Sequence, residues 1–254
     1  MRTLLALILA ILAPCAAAQA PAIAAAADLK YALTEIADAY RRDTGNEVRI
    51  AFGSSGNFAQ QIEHGAPFEL FLSADEAYVD RLAGKGLTRD AGSLYAIGRV
   101  ALFVPRGSPL AADATLADLK LAVRDGRVRR FAIANPEHAP YGRAAREVLE
   151  RAGLWSALSR VLVLGENASQ AMQFAAGGGA QGGIVPWSLT KAPEVAKLGD
   201  AALLPADGHR PLRQKMVLTR SAGPRAEAFH AYLGTPEARR IFVRHGFALP
   251  GEGG

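Results

Sequence analysis

Sulfur is scarce in this chain. One cysteine and three methionines occur in 254 residues. The cysteine, Cys15, falls in an N-terminal stretch that reads as a leader, so the remainder has no thiol. That excludes disulfides, thiolate metal sites and cysteine nucleophiles together. Aromatics are few, at 7% of residues, and no basic stripe interleaved with aromatics appears, which argues against nucleic-acid binding. After the N-terminus no stretch approaches eighteen consecutive apolar residues, the length a membrane-spanning helix needs. Paired metal-binding histidines are missing too: His64, His138, His209, His230 and His245 form no H-E-x-x-H. Gly177 to Gly183 is rich in glycine but lacks G-K-[ST], so it is no P-loop. Phe52-Gly-Ser-Ser-Gly56 is one residue too short for a G-x-S-x-G nucleophile elbow.

What is present is ample apolar material, at 50% of residues, with 21% charged, a globular composition. Met1-Arg2 followed by the ten-residue apolar run Leu4 to Ala13 and the small residues Ala16-Ala-Ala-Gln-Ala20 has the layout of a secretory signal peptide. Cleavage is expected near Ala18, because Pro21 disfavours the bond after Ala20. Leu12-Ala-Pro-Cys15 is a poor lipid-attachment box, with proline just before the cysteine. The net charge is +5, and +4 without Arg2. This modest positive field suits steering of an anion. Arg127-Val-Arg-Arg130 reads as a solvated turn before a strand.

From Pro21 onward, short apolar strands alternate with helices. Ile23–Ala27, Val48–Phe52, Phe68–Leu72, Val100–Val104, Phe131–Ala134, Val161–Leu164, Gly183–Val185 and Lys215–Thr219 are predicted strands. Between them, Leu29, Leu33, Ile36 and Tyr40 share one face of a helix expected over Asp28–Thr44, with Gly45 as its stop. Thr115 and Asp118 are expected to cap another helix. The pattern predicts an α/β chain whose mostly parallel sheets carry helices on both faces. In such sheets ligands bind beyond the carboxyl ends of the strands.

Four turns there place small polar residues at helix starts: Ala27-Asp28, Ser54-Ser55, Pro140-Tyr141 and Asn167-Ala168. First-turn N–H groups have no intrahelical acceptor and carry partial positive charge. Several of them converging would hold an anion without lysine or arginine. Ordinary helix capping accounts for any one of these turns equally well.

The pieces Ala25-Ala-Ala-Asp-Leu-Lys30, Phe52-Gly-Ser-Ser-Gly-Asn57, Gln60-Gln-Ile-Glu-His-Gly-Ala-Pro67, Leu72-Ser-Ala-Asp75, Asn135-Pro-Glu-His-Ala-Pro-Tyr-Gly142 and Gly183-Ile-Val185 occur in order. With them the chain resembles the periplasmic molybdate-binding proteins of molybdate ABC importers, in the type II periplasmic binding protein family. The resemblance covers essentially all of the chain after the leader. It implies a two-lobed α/β fold with a ligand cleft between mixed, mostly parallel sheets. Residues 1–20 would be the signal peptide, 21–98 with 206–254 one lobe, and 99–205 the other. The chain would cross between lobes near Gly98–Val104 and return near Leu203–Val217.

The resemblance further implies a monomer in the periplasm that binds molybdate, and tungstate with it, without catalysis or cofactor. Its partners would be an inner-membrane ABC permease and its ATPase. Asp28, Ser55, Tyr141 and Ala168 are the implied contacts, touching the oxygens of the oxyanion rather than the metal. Two positions depart from the family pattern. Asp28 stands where relatives often carry a hydroxyl, and is expected to cap its own helix with its charge turned aside while its N–H faces the ligand. Pro186 stands where some relatives have a ligating tyrosine, a role Tyr141, or less well Ser188, would take over. These departures leave a different oxyanion open, tungstate specifically or a phosphonate. An exported hydrolase using His138 with Ser54 or Ser55 is a further reading and requires a hydrogen-bonded Ser–His pair.

Overall fold

The computed structural model of the chain describes residues 19–251. The signal-peptide reading therefore lies outside the described residues except for Gln19 and Ala20. Among those described, no helix is long and apolar enough to cross a membrane.

Ten strands form two five-stranded sheets on one plan. The first has the order β2 (Arg49–Gly53), β1 (Ala22–Ala26), β3 (Leu70–Ser73), β10 (Leu212–Leu218), β4 (Ser93–Gly98). The second has the order β7 (Leu162–Gly165), β6 (Phe131–Ala134), β8 (Gly182–Pro186), β5 (Val100–Pro105), β9 (Gly199–Leu203). In each, three parallel strands are followed by one antiparallel strand, β10 or β5, that carries the edge strand. The parallel strands are apolar and those at the sheet centres are buried throughout, as expected where helices cover both faces. The chain passes from the first sheet to the second at Arg99, between β4 and β5, and returns through residues 204–211, between β9 and β10.

Helix α1 (Lys30–Thr44) buries Leu33, Ile36 and Tyr40 and stops at Gly45, whose φ of 71° is left-handed. It does not start at Asp28 as its periodicity suggests. Ala27–Leu29 form a tight 3-10 turn, in which Lys30 N–H bonds to Ala27 O. The turn has no side-chain cap, so the expectation that Asp28 caps its own helix is not met. The cap of α4 (Ala117–Arg124) also differs. Asp113, not Thr115 or Asp118, accepts the N–H groups of Thr115, Ala117 and Asp118. Asp118 instead accepts from Ala111 N–H and from Arg127. Strands β4 and β9 were not apparent from periodicity.

Three more helices leave strands of the two sheets: α2 (Ser55–Glu63) after β2, α5 (Pro140–Arg151) after β6 and α7 (Ala168–Ala176) after β7. Helix α3 (Glu76–Gly84) follows β3, the short α6 (Trp155–Leu158) follows α5, the short α8 (Trp187–Thr190) and α9 (Pro193–Ala196) follow β8, and α10 (Pro224–Leu233) and α11 (Pro236–Arg244) pack on α1.

Candidate functional site

The carboxyl ends of β1, β2, β6 and β7 face one another across the gap between the sheets. The turns that leave them bring Asp28, Ser55, Tyr141 and Ala168 to the wall of one narrow cavity, with Ala27, Ser54 and Ala74 beside them. Two of the four come from each sheet. No lysine or arginine lines it among the described residues. It is far smaller than the pockets that take drug-sized molecules, so only a ligand of a few atoms suits it. Larger clefts lie elsewhere between the lobes, but none of these four residues lines them.

The local chemistry at each turn favours an anion. Ser54 caps α2, its Oγ accepting from Asn57 N–H at 3.2 Å, and Asn167 caps α7 by accepting from Gln170 N–H at 3.0 Å. Ser55 and Ala168 are then first-turn residues whose N–H groups have no acceptor in their own helices. In α5, Pro140 occupies the first position, where the missing N–H costs nothing, and Tyr141 follows. Ser55 Oγ accepts from Ala74 N–H at 3.0 Å, which leaves its O–H to donate. Three helix N-termini and one 3-10 turn thus meet at one small space and bring first-turn N–H groups and partial positive charge to its wall.

Asp28 is 1% exposed. Its Oδ2 accepts from Gln214 Nε2 at 2.6 Å, while Oδ1 is buried without a partner. Gln214, central in β10, also donates to the Tyr141 phenol at 3.2 Å, and its Oε1 accepts from Tyr95 O–H at 2.8 Å. Burial pushes the Asp28 carboxyl up to about 6, against the smaller opposing effect of its hydrogen bonds. Burial, and then the neighbouring Asp28 charge, push the Tyr95 and Tyr141 phenols well above their ordinary range. Gln214 and Tyr95 carried no signal in the sequence, because nothing local reveals what a strand residue meets 186 positions away.

Ser188 Oγ does not line the cavity and donates to Asp28 O at 2.8 Å; Pro186 pairs with Val100 in the ladder.

The two halves are closed on each other around this enclosure. Gly56 N–H donates to His138 O at 3.0 Å, and a Cβ at Gly56 would lie 2.6 Å from that oxygen. Arg143 donates to Tyr78 O–H at 2.7 Å and to Asp75, and Ser169 Oγ donates to Ala27 O at 2.9 Å. His138 Nδ1 lies 2.9 Å from Ser54 Oγ, so the Ser–His pair that a hydrolase needs does exist. Its setting is unlike a nucleophile's. Ser54 Oγ is already the α2 cap and is 5% exposed, and the carboxylate near His138 Nε2, Glu166 at 3.5 Å, is 68% exposed. In the serine-hydrolase arrangement the other ring nitrogen faces the serine, and the orienting carboxylate is buried. Ser55 bonds Ala74 instead. Among the described residues no group of three His, Cys, Asp or Glu is placed to hold a metal ion.

Comparison with known proteins gives this geometry a family. The family model described as bacterial extracellular solute-binding protein matches residues 22–248. The molybdate-binding protein ModA of Rhodobacter capsulatus is 36% identical over 248 residues, covering 96% of this chain and 94% of the relative. That of Azotobacter vinelandii is 35% identical over 254 residues, covering 98% and 97%. The solved Azotobacter vinelandii periplasmic molybdate-binding protein superposes with a TM-score of 0.80 at 29% identity, covering 91% of this chain and 99% of that one. The two sheets and their flanking helices are the two-lobed periplasmic binding fold, and the chain belongs to the bacterial extracellular solute-binding proteins, in the family of the periplasmic molybdate-binding proteins.

Proposed function

We propose that this protein captures molybdate in the periplasm and delivers it to an ABC importer, an inner-membrane permease with its ATPase. The observation that supports this most is the meeting of four strand-end turns, two from each sheet, around one small buried space without a cationic side chain. Backbone N–H groups of Asp28, Ser55, Tyr141 and Ala168 and the Ser55 hydroxyl hold the oxyanion oxygens. A fixed charge pair would cost far more to bury and would release its cargo less readily. Residues 21–98 with 206–254 and residues 99–205 act as two hinged lobes, turning about Arg99 and the 204–211 segment. The relatives' names support molybdate as the ligand, and tungstate follows from its similar size and charge. The protein acts without cofactor and as a monomer.

Calorimetric titration with molybdate, tungstate, sulfate and phosphate tests this reading. Molybdate and tungstate are expected to bind alike, with sulfate weaker by orders of magnitude, because a smaller ion leaves donors stretched and each poorly made bond to a charged group costs roughly 1.5–3 kcal/mol. Sulfate binding as tightly as molybdate refutes the size argument. Preference for another anion would move the assignment to that oxyanion, a phosphonate included.

The Ser54–His138 contact is the one observation that favours a hydrolase. We read it as a latch between the lobes. A fluorophosphonate probe is expected to leave Ser54 unmodified; stoichiometric labelling of Ser54 reverses that.

A further inference from the structure

A carboxyl group on the wall of an anion pocket is a contradiction in charge, and the surroundings of Asp28 do nothing to neutralise it. From β10 it meets the neutral amide of Gln214, whose neighbour Lys215 is paired with Asp80. From β4 and α5 come two phenols, Tyr95 and Tyr141, linked through that amide, and the Tyr141 phenol also hydrogen-bonds the carboxyl and favours its charged form, by less than burial opposes it. From α8, Ser188 bonds its backbone oxygen. The loop before α5 carries His138, which is engaged with Ser54 and Glu166. On its own element the nearest charge, Lys30, is exposed and lies over the Tyr31 ring. Among the described residues no lysine or arginine lines the cavity or bonds the carboxyl. Of its two oxygens, Oδ2 accepts from the Gln214 amide, and Oδ1 is buried without a partner at full hydrogen-bond geometry. Oδ1 is thus an unpartnered buried polar atom on a residue that lines the cavity, and such an atom calls for a partner. Two negative charges cannot share one desolvated site without a proton between them.

We propose that capture of a tetrahedral dianion in this cavity takes up one proton from solvent onto Asp28, and that the resulting acid donates its Oδ1–H to a ligand oxygen. The inference rests on the binding reading above and adds the proton to it. The balance is simple: carboxylate, proton and dianion become a carboxylic acid hydrogen-bonded to the dianion, and no bond within the oxyanion breaks. Gln214 then holds the other oxygen, with its amide orientation set by Tyr95. The ligand-free carboxyl already titrates near 6, raised by burial, so the proton needed is within easy reach at neutral pH. The consequence is a receptor that loads better in slightly acidic surroundings.

Calorimetry of the purified protein with sodium molybdate at pH 8, in two buffers of different ionisation enthalpy, reads the proton directly. The expected result is uptake of about one proton per molybdate, with affinity falling by up to about tenfold per pH unit between pH 7 and 9. Asp28→Asn is expected to bind with no net proton uptake and an affinity flat across that range. Buffer-independent heats and a flat affinity in the unaltered protein overturn the inference and leave the binding reading standing. Proton uptake that persists in Asp28→Asn overturns the assignment to Asp28. Absence of any molybdate binding from pH 5 to 9 removes the binding reading and this inference with it. Should Asp28→Asn fail to fold, Asp28→Ser takes its place, with the same loss of proton uptake expected and persistent uptake overturning the assignment.

Discussion

Asp28 is where one side chain's protonation state has the largest effect on the molecule. Its carboxyl moves from an ordinary 3.8 to about 6 on folding, with burial the main cause. A raised acid binds its proton more tightly in the folded state. Its contribution to stability is therefore whole below pH ~4 and is lost as pH rises through about 6. At about 1.4 kcal/mol per pH unit, the ionised form costs the ligand-free fold on the order of 3 kcal/mol at pH 8. Asp28→Asn removes that cost. Its melting temperature, relative to the unaltered protein without ligand, is expected to be higher at pH 8 than at pH 4.5; equal differences at the two pH values would contradict the burial argument. Ser55 has the opposite character, fully satisfied as an acceptor and poised to donate. Ser55→Ala is expected to weaken molybdate binding by roughly tenfold or more, the value of one hydrogen bond to a charged group. Unchanged affinity by calorimetry would take Ser55 out of the site. Ser55, Tyr141 and Ala168 were legible as residues at helix starts, because capping is local chemistry. The partners of Asp28 were not, since they come from strands far along the chain.

Among the elements, α4 shows how local rules can be right in kind and shifted in place. A short acidic residue does cap it, but the carboxylate is Asp113, four residues before the helix, with Leu116 in a left-handed conformation at φ 59° between them. Burial alone would raise the Asp113 carboxyl, but the Thr115 hydroxyl and three backbone N–H groups converge on it and together hold it below the ordinary range. Asp113→Ala is expected to destabilise the protein by about 1–2 kcal/mol, read from the urea midpoint at pH 7, and by less as pH falls and the carboxylate protonates. Strands show the converse. β9, Gly-Asp-Ala-Ala-Leu, has little intrinsic preference for extended structure, and it is a strand because β5 offers it a complete ladder. The centre of each sheet was legible from its apolar runs, whereas the edges depend on what lies alongside.

For the whole molecule, the enclosure exists because the lobes are shut, and a few named contacts shut them. Gly98, the last residue of β4 before the crossing, is packed so closely that a Cβ would sit 2.3 Å from the Tyr141 hydroxyl of the other lobe. Arg143, on α5, reaches across to Asp75 and Tyr78 and stacks its guanidinium 5.2 Å over the Tyr78 ring. It touches nothing in the cavity itself. Arg143→Ala is therefore expected to speed molybdate release by roughly five- to tenfold, an effect moderated by the site's partial exposure, with a smaller change in the association rate. Stopped-flow release measures this; an unaltered release rate would mean that the Arg143 contacts do not hold the cleft shut.

Apart from the edge strands β4 and β9, most segments that become strand, turn and helix were written into neighbouring residues, through apolar runs, a Ser or Asn at a helix start and a glycine at its end. Those are short-range effects, so they survive without knowledge of the rest of the chain. The resemblance carried by ordered motifs extended that reading to two lobes and an anion. Only the closed three-dimensional arrangement placed Gln214 against Asp28, His138 against Ser54 and Arg143 against Asp75. These pairs are 186, 84 and 68 residues apart. The charge of a buried carboxyl and the grip of a cleft are set by what surrounds them in space, and no local pattern in a chain encodes that.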